Sequence, residues 1–407
     1  MNILYLSYDG MTDPLGQSQV MPYLFGLRKL GHIIHLVSFE KPERVHLQNE
    51  IKTLLDTNGI VWHPMVYHKS PAVVSTVFDI YKLKQKIKEL YKAFGFDIVH
   101  CRSYIAAIAG LYLKQKTGLR FIFDMRGFYA DERVDGGLWP QDKAIYKLVF
   151  QYFKLIEKKL LINADAIISL THSAEKIMQD WQLKVQPLPI AVIPCCADLN
   201  HFNFNNNSKN SKINTLQIPD GAFVLCYLGA IGTWYLLNEM LIFFKELCKQ
   251  KPNAIFLFIT TEDSNTITRA ALKIGIEPGQ LRITSATRKQ VPCYLQLAHV
   301  AIFFIKPTFS KKASSPTKQA ELMGMGLPII CNAGVGDTDY IVSQTKCGVA
   351  LQTLDAETFY QTAKDISLLT QINKSMIRQG ALQFFDLKQG ISLYNNVYEN
   401  LSSTHHS

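Results

Sequence analysis

No apolar stretch approaches the roughly 18 uncharged residues that a membrane-spanning helix needs. The nearest, residues 160–170, is broken by Asn163 and Asp165. The N-terminus has no basic segment ahead of a long apolar one. It opens directly on Asn2-Ile3-Leu4-Tyr5-Leu6, which argues against a secretory leader. Eight cysteines occur, at 101, 195, 196, 226, 248, 293, 331 and 347, but no Cys-x-x-Cys pair. Neither a disulfide framework nor a cysteine metal site is expected, and a reducing compartment fits better. The chain has no G-x-G-x-x-G fingerprint, no short internal repeat and no low-complexity tract.

What is present is an ordinary globular balance: 407 residues, 48% hydrophobic and 19% charged. That length is comfortable for two domains of about 200 residues each. Lys and Arg outnumber Asp and Glu by 43 to 33, a net charge of +10. The excess permits attraction to phosphates, nucleic acid or an anionic bilayer, and a solvated basic face is the plain alternative.

Residues 2–8 read as a buried strand. A loop from Asp9 to Gly16 follows, then a helix spaced on Met21, Leu24, Leu27 and Leu30, then a strand at Ile33 to Val37. This is a βαβ unit, and the alternation continues. Strands are predicted at 60–62, 97–100, 120–123 and 166–169, with a helix over 142–161 and Ser173 as the cap of the next one, and Val192-Ile193-Pro194 closes the first domain. Asn203, Asn205, Asn206, Asn207 and Asn210 then crowd together with Ser208 and Ser211, which is linker composition. Alternation restarts with strands at 224–228, 255–260, 281–283, 300–305 and 328–331. The predicted organisation is an α/β chain with a first domain over 1–202, a linker over 203–217 and a second domain over 218–385. A last helix over 386–402, spaced on Leu393, Val397 and Leu401, is expected to return to the first domain.

Two segments carry phosphate-type chemistry. Gly229-Ala230-Ile231-Gly232-Thr233 lies between a strand and a helix, where glycines let backbone N–H groups approach an oxyanion. A tight turn without a ligand is the alternative. Residues 314–326 read Ser-Ser-Pro-Thr-Lys-Gln-Ala-Glu-Leu-Met-Gly-Met-Gly. Ser315 and Pro316 start a helix whose first N–H groups are free, and Lys318 and Glu321 share one face of it. A lysine there meets a phosphate, and a carboxylate one turn on accepts two ribose hydroxyls. An ordinary surface ion pair is the alternative. In the first half, His100, Arg102, Asp124 and Arg126 stand at predicted strand ends, with Asp131 and Glu132 beyond. A core-facing His100 and a loop-fixing Asp124–Arg126 pair are the competing readings. His172 and His201 read as structural, and His405 and His406 have no assigned purpose.

The pattern Ser-x-Pro-x-Lys-x-x-Glu-x-x-x-x-Gly-x-Pro-Ile-Ile, from Ser314 to Ile330, resembles a hallmark of the GT-B glycosyltransferases of family 4. Asp97-Ile98-Val99-His100, Ala164 to Ile168 and Ile193 to Phe202 resemble three further segments of that family, in the same order. The resemblance implies two Rossmann-like domains facing across a cleft, the second holding a UDP- or GDP-linked sugar. It places Glu321 at the ribose. It places Lys318 and the amides of Ser315, Pro316 and Thr317 near the diphosphate and sugar, with Gly229, Gly232 and Thr233 on the loop facing the diphosphate. Gly16 falls in the first-domain loop near the reaction centre, and His100, Asp124 and Arg126 fall where catalytic or acceptor-binding groups sit. The implied reaction is sugar transfer with retention, without a metal or other cofactor. The implied acceptor is a glycan or lipid-linked molecule of cell-surface polysaccharide or lipopolysaccharide assembly. Cytoplasmic placement, at the inner face of the membrane, follows, and nucleic acid is not an expected partner. Aromatic and basic residues over 141–159 offer a membrane contact or, alternatively, pack on their own sheet.

Two departures from the family stand out. Ala313 occupies a position that is commonly glutamate. The segment Gly232-Thr233-Trp234-Tyr235-Leu236 lacks the usual Arg and Lys, leaving Lys306, Lys311, Lys312 or Arg288 as substitutes. They motivate two other readings: a nucleotide-sugar epimerase of the same architecture, and a catalytically impaired glycan- or nucleotide-binding protein.

Overall fold

A computed structural model describes residues 1–71, 73–206 and 216–403. Most of the Asn-rich segment, with His405 and His406, lies outside the described residues. The chain divides into two compact units. The first is Met1–Pro194 with Leu387–Ser407, and the second is Cys195–Asp386.

The first unit holds seven parallel strands: β1 (Asn2–Ser7), β2 (Ile33–Glu40), β3 (Ile60–Val66), β4 (Ile98–Arg102), β5 (Arg120–Asp124), β6 (Ala166–Ser169) and β7 (Ile190–Val192). Their order is β3-β2-β1-β4-β5-β6-β7. β1, β4 and β5 are almost wholly buried, which is why they read as unbroken apolar runs rather than alternating ones. The second unit repeats the plan with β8 (Val224–Leu228), β9 (Ile255–Ile259), β10 (Leu281–Thr284), β11 (Val300–Phe303), β12 (Ile329–Asn332) and β13 (Gly348–Leu351), ordered β10-β9-β8-β11-β12-β13. Both are doubly wound Rossmann-like sheets. In each, the strand order reverses once, between β1 and β4 and between β8 and β11. Loops leaving the carboxyl ends of those two strands diverge there and leave room for a ligand.

Several elements differ from the sequence reading. β13 was not anticipated: it is a four-residue edge strand, mostly half-buried, and too short to show a period. β3 runs to Val66, well past Trp62. The cap of helix His172–Asp180 is Thr171, whose side chain accepts from the Ala174 amide at 3.1 Å, and not Ser173. The helix expected over 142–161 spans Ala144–Asn163. The second unit begins at Cys195, upstream of the predicted boundary at 202, because Leu199 and Phe202 are buried in its core. Arg378 fixes this stretch by donating to the carbonyls of Leu199, Phe202 and Gly324.

The last helix, Leu387–Ser403, packs within the first unit against helix Met21–Lys29. Tyr394, Val397, Tyr398 and Leu401 are buried, whereas Leu393 is largely exposed.

Candidate functional site

The reversal point of the second unit gathers most of the sequence candidates. β8 ends in Gly229, whose φ of +108° favours glycine. A Cβ there would lie 3.3 Å from the Lys318 Nζ, so glycine also makes room for that ammonium. Gly232 and Thr233 are exposed. The loop does not run straight into a helix. Helix Leu237–Gln250 starts later, with Leu236 as its cap. Trp234, in a turn, and Tyr235, in an isolated bridge with Ile305, intervene and are bonded to the exit of β11: the Lys306 amide donates to the Trp234 carbonyl and the Leu236 amide to that of Phe304. Asn332 braces the same exit, accepting from the Ile305 amide at 2.7 Å and donating to its carbonyl at 2.9 Å.

Helix Thr317–Gly324 has Pro316 as its cap, with no side chain satisfying its first amides. The Ser315 hydroxyl accepts from the Cys195 amide at 3.1 Å and so fixes the approach to the helix. Lys318 is buried, yet among the described residues it makes no ion pair. Its Nζ donates to the Tyr227 hydroxyl at 2.9 Å and lies 4.1 Å from the Tyr227 ring centroid and 3.6 Å from that of Tyr235. Such contacts favour the charged form, but burial prevails and holds its pKa well below the usual lysine range, with Glu321 pulling the other way. Lys311 is also buried, and its Nζ lies 3.7 Å from the Trp234 ring centroid. The two aromatic residues standing where the family commonly has Arg and Lys therefore seat two lysines from the β11–β12 connection.

Glu321 is buried one turn beyond Lys318. One of its oxygens accepts from Arg288 at 3.0 Å. Burial raises its pKa, and the opposing pull of Arg288 and Lys318 does not cancel the rise. Arg288 lies over the Phe202 ring, 5.2 Å from its centroid, and its carbonyl is bonded to His201 at 2.9 Å. Arg288 is thus engaged with Glu321, while the ammonium groups of Lys318 and Lys311 lie over the Tyr235 and Trp234 rings that follow the glycine loop.

The reversal point of the first unit is built differently. His100 and Asp124 are completely buried. His100 shares a hydrogen bond with Tyr398 at 2.7 Å through Nδ1, and its Nε2 lies 3.5 Å from Asp124. Tyr394 donates to Asp124 at 3.1 Å, and Arg126 stands 3.7 Å away. Burial lowers the His100 pKa, so the imidazole is neutral. Burial alone would raise that of Asp124, but Arg126, His100 and Arg102 outweigh it and keep the carboxylate ionised. Both side chains are enclosed and bonded to the last helix. Arg126, at φ +60°, retains some exposure. Arg102 pairs with Asp9 at 3.2 Å. Gly16 is buried in helix Pro14–Gln19, where a Cβ would lie 2.2 Å from the Gly10 carbonyl oxygen.

The sequence reading missed Glu40. Buried at the end of β2, it accepts from the amides of Met11 and Thr12 at 2.8 and 3.0 Å and from the Thr12 and Ser38 hydroxyls at 2.6 Å each. It therefore sets the loop after β1. The available signal was a glutamate closing a strand that is otherwise apolar apart from His35 and Ser38. Among the described residues, no three His, Cys, Asp or Glu side chains are grouped to hold a metal, and no helix is long and apolar enough to cross a membrane.

Two doubly wound sheets, one with a glycine-edged cationic reversal point, define the tandem Rossmann-like class. Residues 23–201 match the family described as Glycosyltransferase Family 4, and residues 208–383 match Glycosyl transferases group 1. The chain belongs to the GT-B fold glycosyltransferases. Solved structures agree on the fold. Sucrose-phosphate synthase from Thermosynechococcus elongatus is 14% identical, covering 99% of this chain and 100% of its own, with a TM-score of 0.73. HepE from Anabaena, in complex with UDP and glucose, is 14% identical over 99% and 100%, at 0.66. A candidate UDP-N-acetylglucosamine 2-epimerase from Listeria monocytogenes is 11% identical over 100% and 96%, at 0.59. No curated protein sequence matches the chain significantly.

Proposed function

We propose that the protein is a retaining glycosyltransferase of the hexosyltransferase type. It moves a sugar from a UDP- or GDP-linked donor to a glycan or lipid-linked acceptor in cell-surface polysaccharide or lipopolysaccharide assembly. The observation that carries this reading is Lys318, a buried lysine that makes no ion pair among the described residues, seated on two rings in the space that Gly229 leaves open. A buried charge without a partner is costly. A donor diphosphate supplies the missing partner.

In this reading the diphosphate lies against the Gly229–Thr233 loop and the first amides of helix Thr317–Gly324. Lys318 and Lys311 face the leaving group as its negative charge grows, in a site dry enough to make each contact strong. Glu321 accepts from the ribose through the oxygen that Arg288 leaves open. No metal step is required. In the first unit, Arg126 is the candidate for contact with the acceptor, and His100 and Asp124 are positioning residues. The enzyme works in the cytoplasm as a peripheral protein at the inner face of the cell membrane.

A screen of nucleotide sugars by mass spectrometry, with and without a lipid-linked acceptor pool, tests the reading. Release of nucleoside diphosphate that depends on acceptor, with a new glycoside formed, supports it. Epimerised donor in the absence of acceptor replaces it with an epimerase. Binding without turnover of any donor replaces it with a binding protein.

A further inference from the structure

Helix Ala144–Asn163 has two unlike faces. Phe153, Glu157, Leu160 and Leu161 are buried. Ile145, Leu148, Tyr152, Leu155 and Ile162 recur every three or four residues or a multiple of that, and are 41–66% exposed. A helix of a water-soluble domain normally turns such a stripe inward. Lys147, Lys158 and Lys159 are exposed on the same helix. Its single acid, Glu157, is buried and bonded to Tyr104 and Lys154. Asp131 is likewise bonded to Lys154, at 2.8 Å, so the exposed carboxylate nearest in sequence is Asp142, ahead of the first turn.

Helix Val74–Phe94 begins the same way, with Val74, Val77, Phe78 and Tyr81 exposed and Lys82 beside them. Its acid in this region, Asp79, is buried and bonded to Tyr8 and His68. A cavity of about 550 Å³ joins the two helices, lined by Val77, Tyr129, Trp139, Tyr146, Leu148 and Tyr152, with Lys69 and Arg133 also on its wall. Two apolar faces, ringed by lysines and with their own acids sealed inside, open onto one groove.

We infer that this face docks on an anionic phospholipid bilayer, with the apolar stripe in the headgroup–acyl boundary, the lysines on lipid phosphates and the groove admitting one acyl chain. The choice of occupant rests on charge. A protein partner would need acidic rim residues to meet Lys82, Lys147, Lys158 and Lys159 while covering a narrow apolar stripe, whereas an anionic leaflet supplies both at once. Of the aromatic and basic residues over 141–159, the Phe150, Phe153 and Lys154 side of the helix is not the one that docks. That side is turned inward or engaged in ion pairs. The inference deepens, and rests on, the peripheral placement proposed above.

Flotation with phosphatidylcholine vesicles, with and without phosphatidylglycerol, tests it. The full chain is expected on the anionic vesicles alone, with binding that weakens as salt rises. Leu148→Glu with Leu155→Glu, both at exposed positions that leave the core intact, should weaken binding by about tenfold or more. Lys147→Glu with Lys158→Glu should weaken it and flatten the salt dependence. Failure of the unaltered chain to bind anionic vesicles, or equal binding by the leucine variant, overturns the inference. So does a dimer in solution that the leucine variant dissolves, since a second copy would then cover the stripe. Donor-nucleotide titration run in parallel separates the two proposals. Nucleotide binding retained without vesicle binding rejects only the docking face, and the converse rejects only the donor site.

Discussion

The two sheets reverse strand order in the same way, yet their reversal points hold opposite chemistry. In the first unit the charges are internally matched: Arg102 with Asp9, Asp124 with Arg126 and His100, and the last helix closing over them through Tyr394 and Tyr398. In the second unit Lys318 rests on aromatic rings and among the described residues makes no ion pair, and the Lys311 Nζ lies over the Trp234 ring. A shared topology provides the place, and the side chains at the strand ends decide whether its charges face one another or rest on aromatic rings. That is why fold likeness at 11–14% identity carries no reaction with it.

The largest effect should come from Lys318→Ala. If Lys318 stabilises the leaving group, turnover falls by roughly 100- to 1,000-fold. The thermal midpoint should change little, because the lost ring contacts are offset by relief of the ammonium's desolvation. Steady-state kinetics beside a melting curve decide this. A normal rate would mean that Lys311 alone suffices, and loss of the unaltered enzyme's activity to a chelator would overturn the metal-free mechanism.

Next is Glu321→Ala, which should weaken donor-nucleotide binding by about 1.5–3 kcal/mol, as for a hydrogen bond to a charged group. Calorimetric titration reads it, and unchanged affinity in the folded variant removes Glu321 from the ribose.

The comparison turns over for Tyr398→Phe. Loss of the hydroxyl bonded to His100 should cost the fold about 1–3 kcal/mol in urea denaturation while leaving nucleotide affinity unchanged. A variant as stable as the parent would mean that the first reversal point is not a structural seal.

Smaller effects should appear with pH. His35 and His63 share a ring–ring hydrogen bond at 3.1 Å in the first unit, and burial depresses both, His63 to about 4. The unfolded chain, near 6.5, binds their protons first, so stability should fall as pH drops from about 6.5 toward 4 and level off below. His63→Asn should flatten that slope in melting experiments. In the second unit the sign is read in binding. Lys318 is depressed in the free protein, and an arriving anion favours its ammonium. Donor binding should therefore take up a proton and weaken as pH rises, which calorimetry in two buffers of different ionisation heat detects.

The strands were legible where burial on both faces made them continuous, as in β1, β8 and β9. The edge strand β13 was not, because four half-buried residues carry no period. At the candidate donor site, the sequence supplied Gly229 in one segment and Lys318 and Glu321 as neighbours in another. It registered Trp234 and Tyr235 only as the absence of Arg and Lys. That these rings seat lysines arriving from the β11–β12 connection is a fact of tertiary approach, which no local pattern encodes. Tyr394 and Tyr398 were hidden for the same reason. They meet Asp124 and His100 across 270 and 298 positions of chain, and only the return of the last helix brings them there.

That return also has a bearing on synthesis. A ribosome releases β1 to β7 early, but the helix that seals His100 and Asp124 is made only after all of Cys195–Asp386. At roughly 5–20 residues per second, the first sheet must wait on the order of ten seconds or longer with its buried imidazole and carboxylate uncovered. The second unit needs no such delay, since its strands and covering helices are contiguous in the chain. It should reach its native packing first although it is translated second, and a nascent chain with all of Cys195–Asp386 outside the ribosome but not yet Leu387–Ser403 would hold a finished second unit and an unfinished first one.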